Sequence, residues 1–202
     1  IYVTDFMLSA KVKDIAPSDI LVNQALEYLK TIAVNYALDE ENLRNRAYAI
    51  YLLTRNGMVT TNYLQTLKES LEKSDFKTWK SDIAAMYMAA SYKLLKMDED
   101  GDKLAKGVTL NYPKKQTSSD PFNYSALQHK ALYISLLSRH FSDAARNINT
   151  AVFEEIADNL GKDNYNTITS ALLMRALNDY RAIVPASNVE NISVKVVMDD
   201  GS

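Results

Sequence analysis

Residues Arg44 to Gly57 read RNRAYAIYLLTRNG, and the seven residues from Ala47 to Leu53 inside this stretch are all apolar and helix-compatible. At roughly 3.6 residues per turn such a run covers the full circumference of a helix, so the helix has no wet face and must be enclosed by others. Gly57 stands where a C′ residue of positive φ would close it.

Four further stretches have the same character: YVTDFMLSAK from Tyr2, IAAMYMAASYKLLKM from Ile83, ALQHKALYISLLSRH from Ala126 and ITSALLMRALNDY from Ile168. A leucine sits late in each of the five, as Leu8, Leu53, Leu95, Leu137 and Leu177, at intervals of 45, 42, 42 and 40 residues. A period of that size predicts repeated helix pairs.

Helices of a second kind lie between them. After Pro17, with Ser18 as the expected N-cap, Ala25, Leu26, Leu29, Ile32, Ala33 and Tyr36 form one apolar stripe. Beyond Thr60 or Thr61, Leu64, Leu67 and Leu71 line one face, with Lys68, Glu69, Glu72 and Lys73 on the other. Asp102 to Val108 reads as a short amphipathic piece, and Asn111 to Pro121 as the longest loop. Ile148, Val152, Ile156 and Leu160 recur at every fourth position opposite Glu154, Glu155 and Asp158, before Gly161. Asp39 is expected to cap the helix of the opening stretch, and Ser81 or Asp82 the next enclosed one.

Alternating enclosed and amphipathic helices predict two concentric layers: an all-α fold of the α/α-toroid type, although a curved solenoid of helix pairs would give nearly the same pattern. The inner set is expected to be Tyr2 to Lys13, Arg44 to Asn56, Asp82 to Lys96, Ala126 to Arg139 and Ile168 to Arg181. Asn191 to Met198 instead alternates Ile192, Val194 and Val196 with Ser193 and Lys195, the signal of a strand. Residues 1–185 are therefore expected to form the helical domain, and 186–202 a linker and the first strand of a following β domain.

Composition narrows the function. Lys+Arg of 23 against Asp+Glu of 25 gives a net charge of −2, which supplies no field to hold a polyanion, so nucleic acid is not expected as a partner. Cysteine is absent, which removes disulfides, thiolate catalysis and cysteine-based zinc sites. The longest apolar runs, of about eight residues, fall short of the roughly 20 that span a bilayer, so this segment is expected to make no direct membrane contact. Because Ile1 begins inside a helical pattern without an initiator Met, the chain reads as a fragment of a longer protein.

The helices carry a family resemblance. YVTDFML from Tyr2, RAYAIYLL from Arg46 to Leu53, and Thr167 to Leu177 with Ala171-Leu172 and Ala176-Leu177 resemble the thioester domain of alpha-2-macroglobulins; Ala85 to Leu95, AMYMAASYKLL, is similar to the bacterial branch. The resemblance spans about Ile1 to Ile183, the later part of that domain. It implies a broad-spectrum protease inhibitor of bacterial defence: a target protease cuts a bait segment, the molecule changes shape, and an internal thioester reacts with the protease. The implied partners are target proteases and other domains of the same protein. The implied location is the periplasm, with the full-length protein anchored to the inner membrane as a lipoprotein. That thioester is formed by the Cys and Gln of a Cys-x-Glu-Gln motif, and this chain has no Cys, so the motif lies upstream or belongs to a member lacking it. The complement members' assisting His would fall near Leu38 to Asn42, where no His is present.

No residue is assigned a catalytic, cofactor-binding or metal-binding role, and neither cofactor nor enzymatic activity is expected. Asp98-Glu-Asp-Gly-Asp102 has calcium-loop composition, but placing Gly101 at loop position six puts Lys96 and Gly107 where acidic ligands are needed, so a solvated helix-helix turn is expected there. His129 and His140 lack metalloprotease spacing and are expected to be partly buried helical residues. Tyr48, Tyr51, Tyr87, Tyr92 and Tyr133 suit packing better than a sugar cavity. A toroid glycosidase, the alternative function, would have to find its two facing carboxylates among Asp5, Asp82 and Asp179. A helical-repeat interaction scaffold is a further alternative. Asn123-Tyr-Ser125 and Asn191-Ile-Ser193 match the glycosylation acceptor pattern, which carries weight only in a secreted eukaryotic protein. An open flank at Tyr2 to Lys13, with Phe6 and Leu8 unpartnered, predicts weak self-association.

Overall fold

The computed structural model describes residues 1–12, 15, 17–111, 125–160 and 166–184. The opening stretch forms α3 (Glu40–Arg55), and its boundaries follow from its caps. The Asp39 carboxylate accepts the Asn42 N–H at 3.0 Å, and Glu40 and Glu41 put negative charge at the positive end of the helix dipole. At the far end Gly57 has φ 87°; its N–H bonds the Thr54 carbonyl at 2.9 Å and the Met58 N–H bonds that of Leu53 at 3.1 Å, the Schellman pattern. Every residue from Arg46 to Thr54 is buried.

The other inner helices are α1 (Tyr2–Val12), α5 (Ile83–Leu94), α7 (Ala126–His140) and α10 (Thr167–Arg181). Asp82 caps α5 by accepting the Ala84 N–H at 3.0 Å, and Ser125 and Gln128 make a capping box at α7. Helix α3 packs on α5, α5 on α7 and α7 on α10, a continuous row of inner helices. Asp5 of α1 ties the two ends of this row, pairing with Arg55 of α3 and with Arg175 of α10.

Helices α2 (Asp19–Ala33), α4 (Thr61–Lys73), α6 (Asp98–Ala105) and α9 (Ala151–Leu160) form the outer layer, and α8 (Ser142–Ala145) is a single turn. Helices α2 and α4 pack on α3, and α6 packs on α5. Helix α4 shows the sorting: Leu64, Leu67 and Leu71 are buried at three- and four-residue spacing, while Lys68, Glu69 and Glu72 face solvent. Glu154 is exposed while Leu53 and Leu137 are buried, as the two-layer arrangement requires. Polar ties reinforce it. Arg46, 1% exposed, donates to the Ala33 carbonyl at the C-terminus of α2 and to Ser70 Oγ of α4 at 2.9 Å. Lys130 of α7 pairs with Glu155 of α9.

Several expectations need correction. Asp98 to Asp102 is not a solvated turn but the beginning of α6, whose three acidic residues Asp98, Glu99 and Asp100 suit a helix N-terminus. Gly101 is there because α6 lies close on α5: a Cβ at that position would sit 3.0 Å from the Ala89 carbonyl oxygen. Helix α2 stops at Ala33, so Tyr36 leaves the stripe and is 84% exposed. Leu8 is buried whereas Phe6, on the other face of α1, is 74% exposed. Ser18 and Thr60 stand at N-cap positions but make no side-chain cap bond. The three-residue 3-10 turn Trp79–Ser81 and α8 were not foreseen. The strand expected at Asn191 to Met198, Gly161, most of the Asn111 to Pro121 loop and both acceptor Asn residues lie outside the described residues.

Candidate functional site

Polar side chains from all five inner helices come together in one place. Asp5, 2% exposed, is placed by α1 against Arg55 of α3 at 2.8 Å and Arg175 of α10, and accepts the Tyr48 hydroxyl. Tyr48 stacks on Tyr87 of α5, their centroids 4.5 Å apart, and Tyr87 lies 5.7 Å from Tyr51. The Tyr51 hydroxyl is 2.9 Å from Nε2 of His140 at the end of α7. Beside this chain of contacts, Arg139 grips Asp179 of α10 at 2.7 and 3.0 Å, and Ser135 donates to the same carboxylate.

The charges of this centre are paired with one another. Burial by itself would raise the Asp5 carboxyl, but Arg175, Arg55 and the Tyr48 hydroxyl outweigh it and hold the group down at about 2. Burial, with the charges of Arg139 and Arg55, pushes His140 down to about 4, so at neutral pH it is an uncharged partner of Tyr51. Burial drives the Tyr48 hydroxyl upward, and the Asp5 carboxylate adds to it, so this phenol stays protonated as the donor.

Such a centre stabilises helix contacts and is poorly suited to acid-base chemistry. A glycosidase acid needs a carboxyl raised toward neutrality, whereas Asp5 is moved the other way. Asp82 accepts Arg44 at 2.9 and 3.0 Å as well as the Ala84 N–H, and Asp179 accepts Arg139 and Ser135. All three candidate carboxylates thus serve an arginine.

The histidines occupy separate places. His129 is fully buried with Nε2 at 2.7 Å from the Thr109 carbonyl, while His140 is half-buried on Tyr51. Among the described residues no group of three His, Asp or Glu side chains could hold a metal ion. Tyr48, Tyr51 and Tyr87 are buried against one another, and Tyr133 stacks parallel to His129. The arginines that organise the centre were missed from the sequence, although an arginine inside an apolar helical run, as in ALLMRAL at Arg175, signals an interior charge that needs a partner.

Over 201 residues the chain is 31% identical to a protein of Rickettsia conorii named alpha-2-macroglobulin, a match covering 99% of this chain and 10% of that protein. It is 34% identical over 190 residues, 92% of the chain, to an alpha-2-macroglobulin homolog of Yersinia pestis, and 27% identical over 193 residues to an alpha-2-macroglobulin of Pasteurella multocida. The chain spans about a tenth of the length of these curated relatives. No family model matches it, and no solved structure does.

Proposed function

Because this chain belongs to the alpha-2-macroglobulin family, we propose that it is the helical scaffold of a bacterial protease-trapping protein and is not itself an enzyme. The observation that carries this reading is the similarity along nearly the whole chain, set beside a polar centre whose buried carboxylates are all bound to arginine. In a trap the active parts are a bait that proteases cut and, in thioester-bearing members, an acyl group stored on a cysteine. This chain contains no cysteine and cannot store one. Its contribution is a rigid body that moves as a unit when the bait is cut. The proposed location is the periplasm, with the full-length protein held at the inner membrane, and the proposed partners are target proteases and the neighbouring domains.

The test compares the 202-residue chain with the full-length protein that contains it. Enclosure of a protease blocks large substrates while leaving its active site open to small ones. The full-length protein is expected to suppress chymotrypsin cleavage of a large protein substrate while cleavage of a short peptide persists. The chain alone is expected neither to inhibit nor to take up labelled methylamine. Unchanged cleavage of the large substrate in the presence of the full-length protein refutes the trap, and label on the chain refutes its scaffold role.

A further inference from the structure

A second site lies on the outer surface, away from the polar centre. Helix α4 packs on α3 and α6 packs on α5, and between these two outer helices runs a groove of about 310 Å3, at the small end of the range for small-molecule sites. Its aromatic lining comes from half-buried Tyr92 and from the small part of Trp79 that reaches the surface, for Trp79 is only 6% exposed. Gly107 keeps the end of α6 tight against the 3-10 turn, since a Cβ there would sit 3.0 Å from the Lys80 carbonyl oxygen.

Two lysines of this groove are not committed to an ion pair among the described residues. Lys68 on one wall and Lys103 on the other make no ion pair among the described residues, and Lys80 holds its ammonium 5.6 Å from the Trp79 ring centroid. Lys93, close by, shows what a committed lysine looks like here: it pairs with Asp98 at 3.1 Å and Asp102 at 2.9 Å. Glu72 and Asp100 also line the groove, so three lysines face two carboxylates. A single excess positive charge favours a monoanion and disfavours a polyanion.

We infer that this groove binds a small aromatic carboxylate, with its ring against Tyr92, beside the exposed part of Trp79, and its carboxylate between Lys68 and Lys103. The assignment stands on the groove alone and does not depend on the trapping role. Trp79 is the only tryptophan of the chain, so its emission reports occupancy directly. Titration of the 202-residue chain with 3-phenylpropionate is expected to change that emission saturably, in roughly the millimolar range for a ligand of this size. The uncharged 3-phenylpropionamide is expected to bind at least about tenfold more weakly, and so is 3-phenylpropionate to the double variant Lys68→Gln, Lys103→Gln. Both lysines are exposed, so the variant is expected to keep its helical circular dichroism, which is measured alongside. Non-saturable emission overturns the site, and equal binding of the amide or by the folded double variant overturns the carboxylate assignment.

Discussion

AYAIYLL in α3 and ALLMRAL in α10 are similar in composition, but one is buried on every side and the other on a single face. From Ala47 to Leu53 no residue of α3 exceeds 4% exposure, whereas in α10 Ile168, Met174 and Leu177 are 39%, 74% and 46% exposed. Helix α1 behaves like α10, with Val3 and Phe6 at 70% and 74%. The difference lies in the neighbours: α3 has α2, α4 and α5 around it, while α10 packs chiefly on α7 and reaches α1 through the Arg175 side chain. An apolar sequence therefore declares how much surface a helix is able to bury, and the elements beside it decide how much it does bury.

That comparison is broken most directly by truncating one leucine in each helix. Leu53→Ala removes a fully buried side chain and is expected to lower unfolding stability by about 3–5 kcal/mol. Leu177→Ala, at a half-exposed position, is expected to cost less than about 1 kcal/mol. Urea denaturation of the two variants decides the matter, and equal losses would mean that α10 is as enclosed as α3.

The second test asks how the open end is held. Asp5→Asn leaves Arg55 and Arg175 in a largely buried setting without their shared counter-charge, for an expected loss of about 3 kcal/mol, tempered because both arginines keep some solvent contact. Hydrogen exchange is expected to rise first in α1. Acid gives the same information without mutation. The folded pKa of Asp5, about 2, lies below its unfolded value near 3.8, so its contribution is complete above pH 4 and is lost as pH falls through 2. The shift corresponds to about 2–3 kcal/mol. If Asp5→Asn keeps the wild-type stability difference between pH 4 and pH 2, the clasp has been misassigned.

Acid reaches the other end of the centre earlier. His140 has a folded pKa of about 4 against an unfolded value of 6.5, so the unfolded chain binds more protons in that interval and stability falls as pH drops from 6.5 toward 4. Part of that loss is expected to disappear in His140→Gln, whose amide can still meet the Tyr51 hydroxyl. A wild-type unfolding free energy that stays flat between pH 7 and pH 4.5 contradicts the neutral, buried imidazole.

The layers were legible in the sequence because periodicity is local: seven apolar residues in a row at Ala47 and the spaced leucines of α4 name the inner and outer positions without any knowledge of the partner. The caps at Asp39, Asp82 and Gly57 were legible for the same reason. The centre was not. Asp5 meets Arg175 across 170 positions of chain, and nothing near either residue specifies the other. The Asp98 to Asp102 segment was misread because acidic residues and a glycine suit both a turn and a helix N-terminus, and the packing of Gly101 on Ala89 decides between them.

The smallest expected effect concerns two helix ends built on one plan. Helix α5 closes as α3 does: Lys96 N–H bonds the Lys93 carbonyl at 3.1 Å and Met97 N–H bonds that of Tyr92 at 2.9 Å, matching the bonds made after α3 by Gly57 and Met58. The residue at the pivot differs, for Lys96 has φ 63° where Gly57 has 87°. An L-residue in the left-handed region costs roughly 1–2 kcal/mol, partly offset because glycine gives the unfolded chain more freedom. Lys96 is exposed and makes no ion pair among the described residues, so little is lost with its side chain. Lys96→Gly is therefore expected to stabilise the protein by about 0.5–1 kcal/mol. Gly57→Ala is expected to destabilise it by a similar amount through the backbone alone, since a Cβ there meets no atom within 4 Å. The shift in urea midpoint reads both substitutions, and a destabilising Lys96→Gly would show that the lysine contributes a contact at the end of α5 that outweighs its backbone strain.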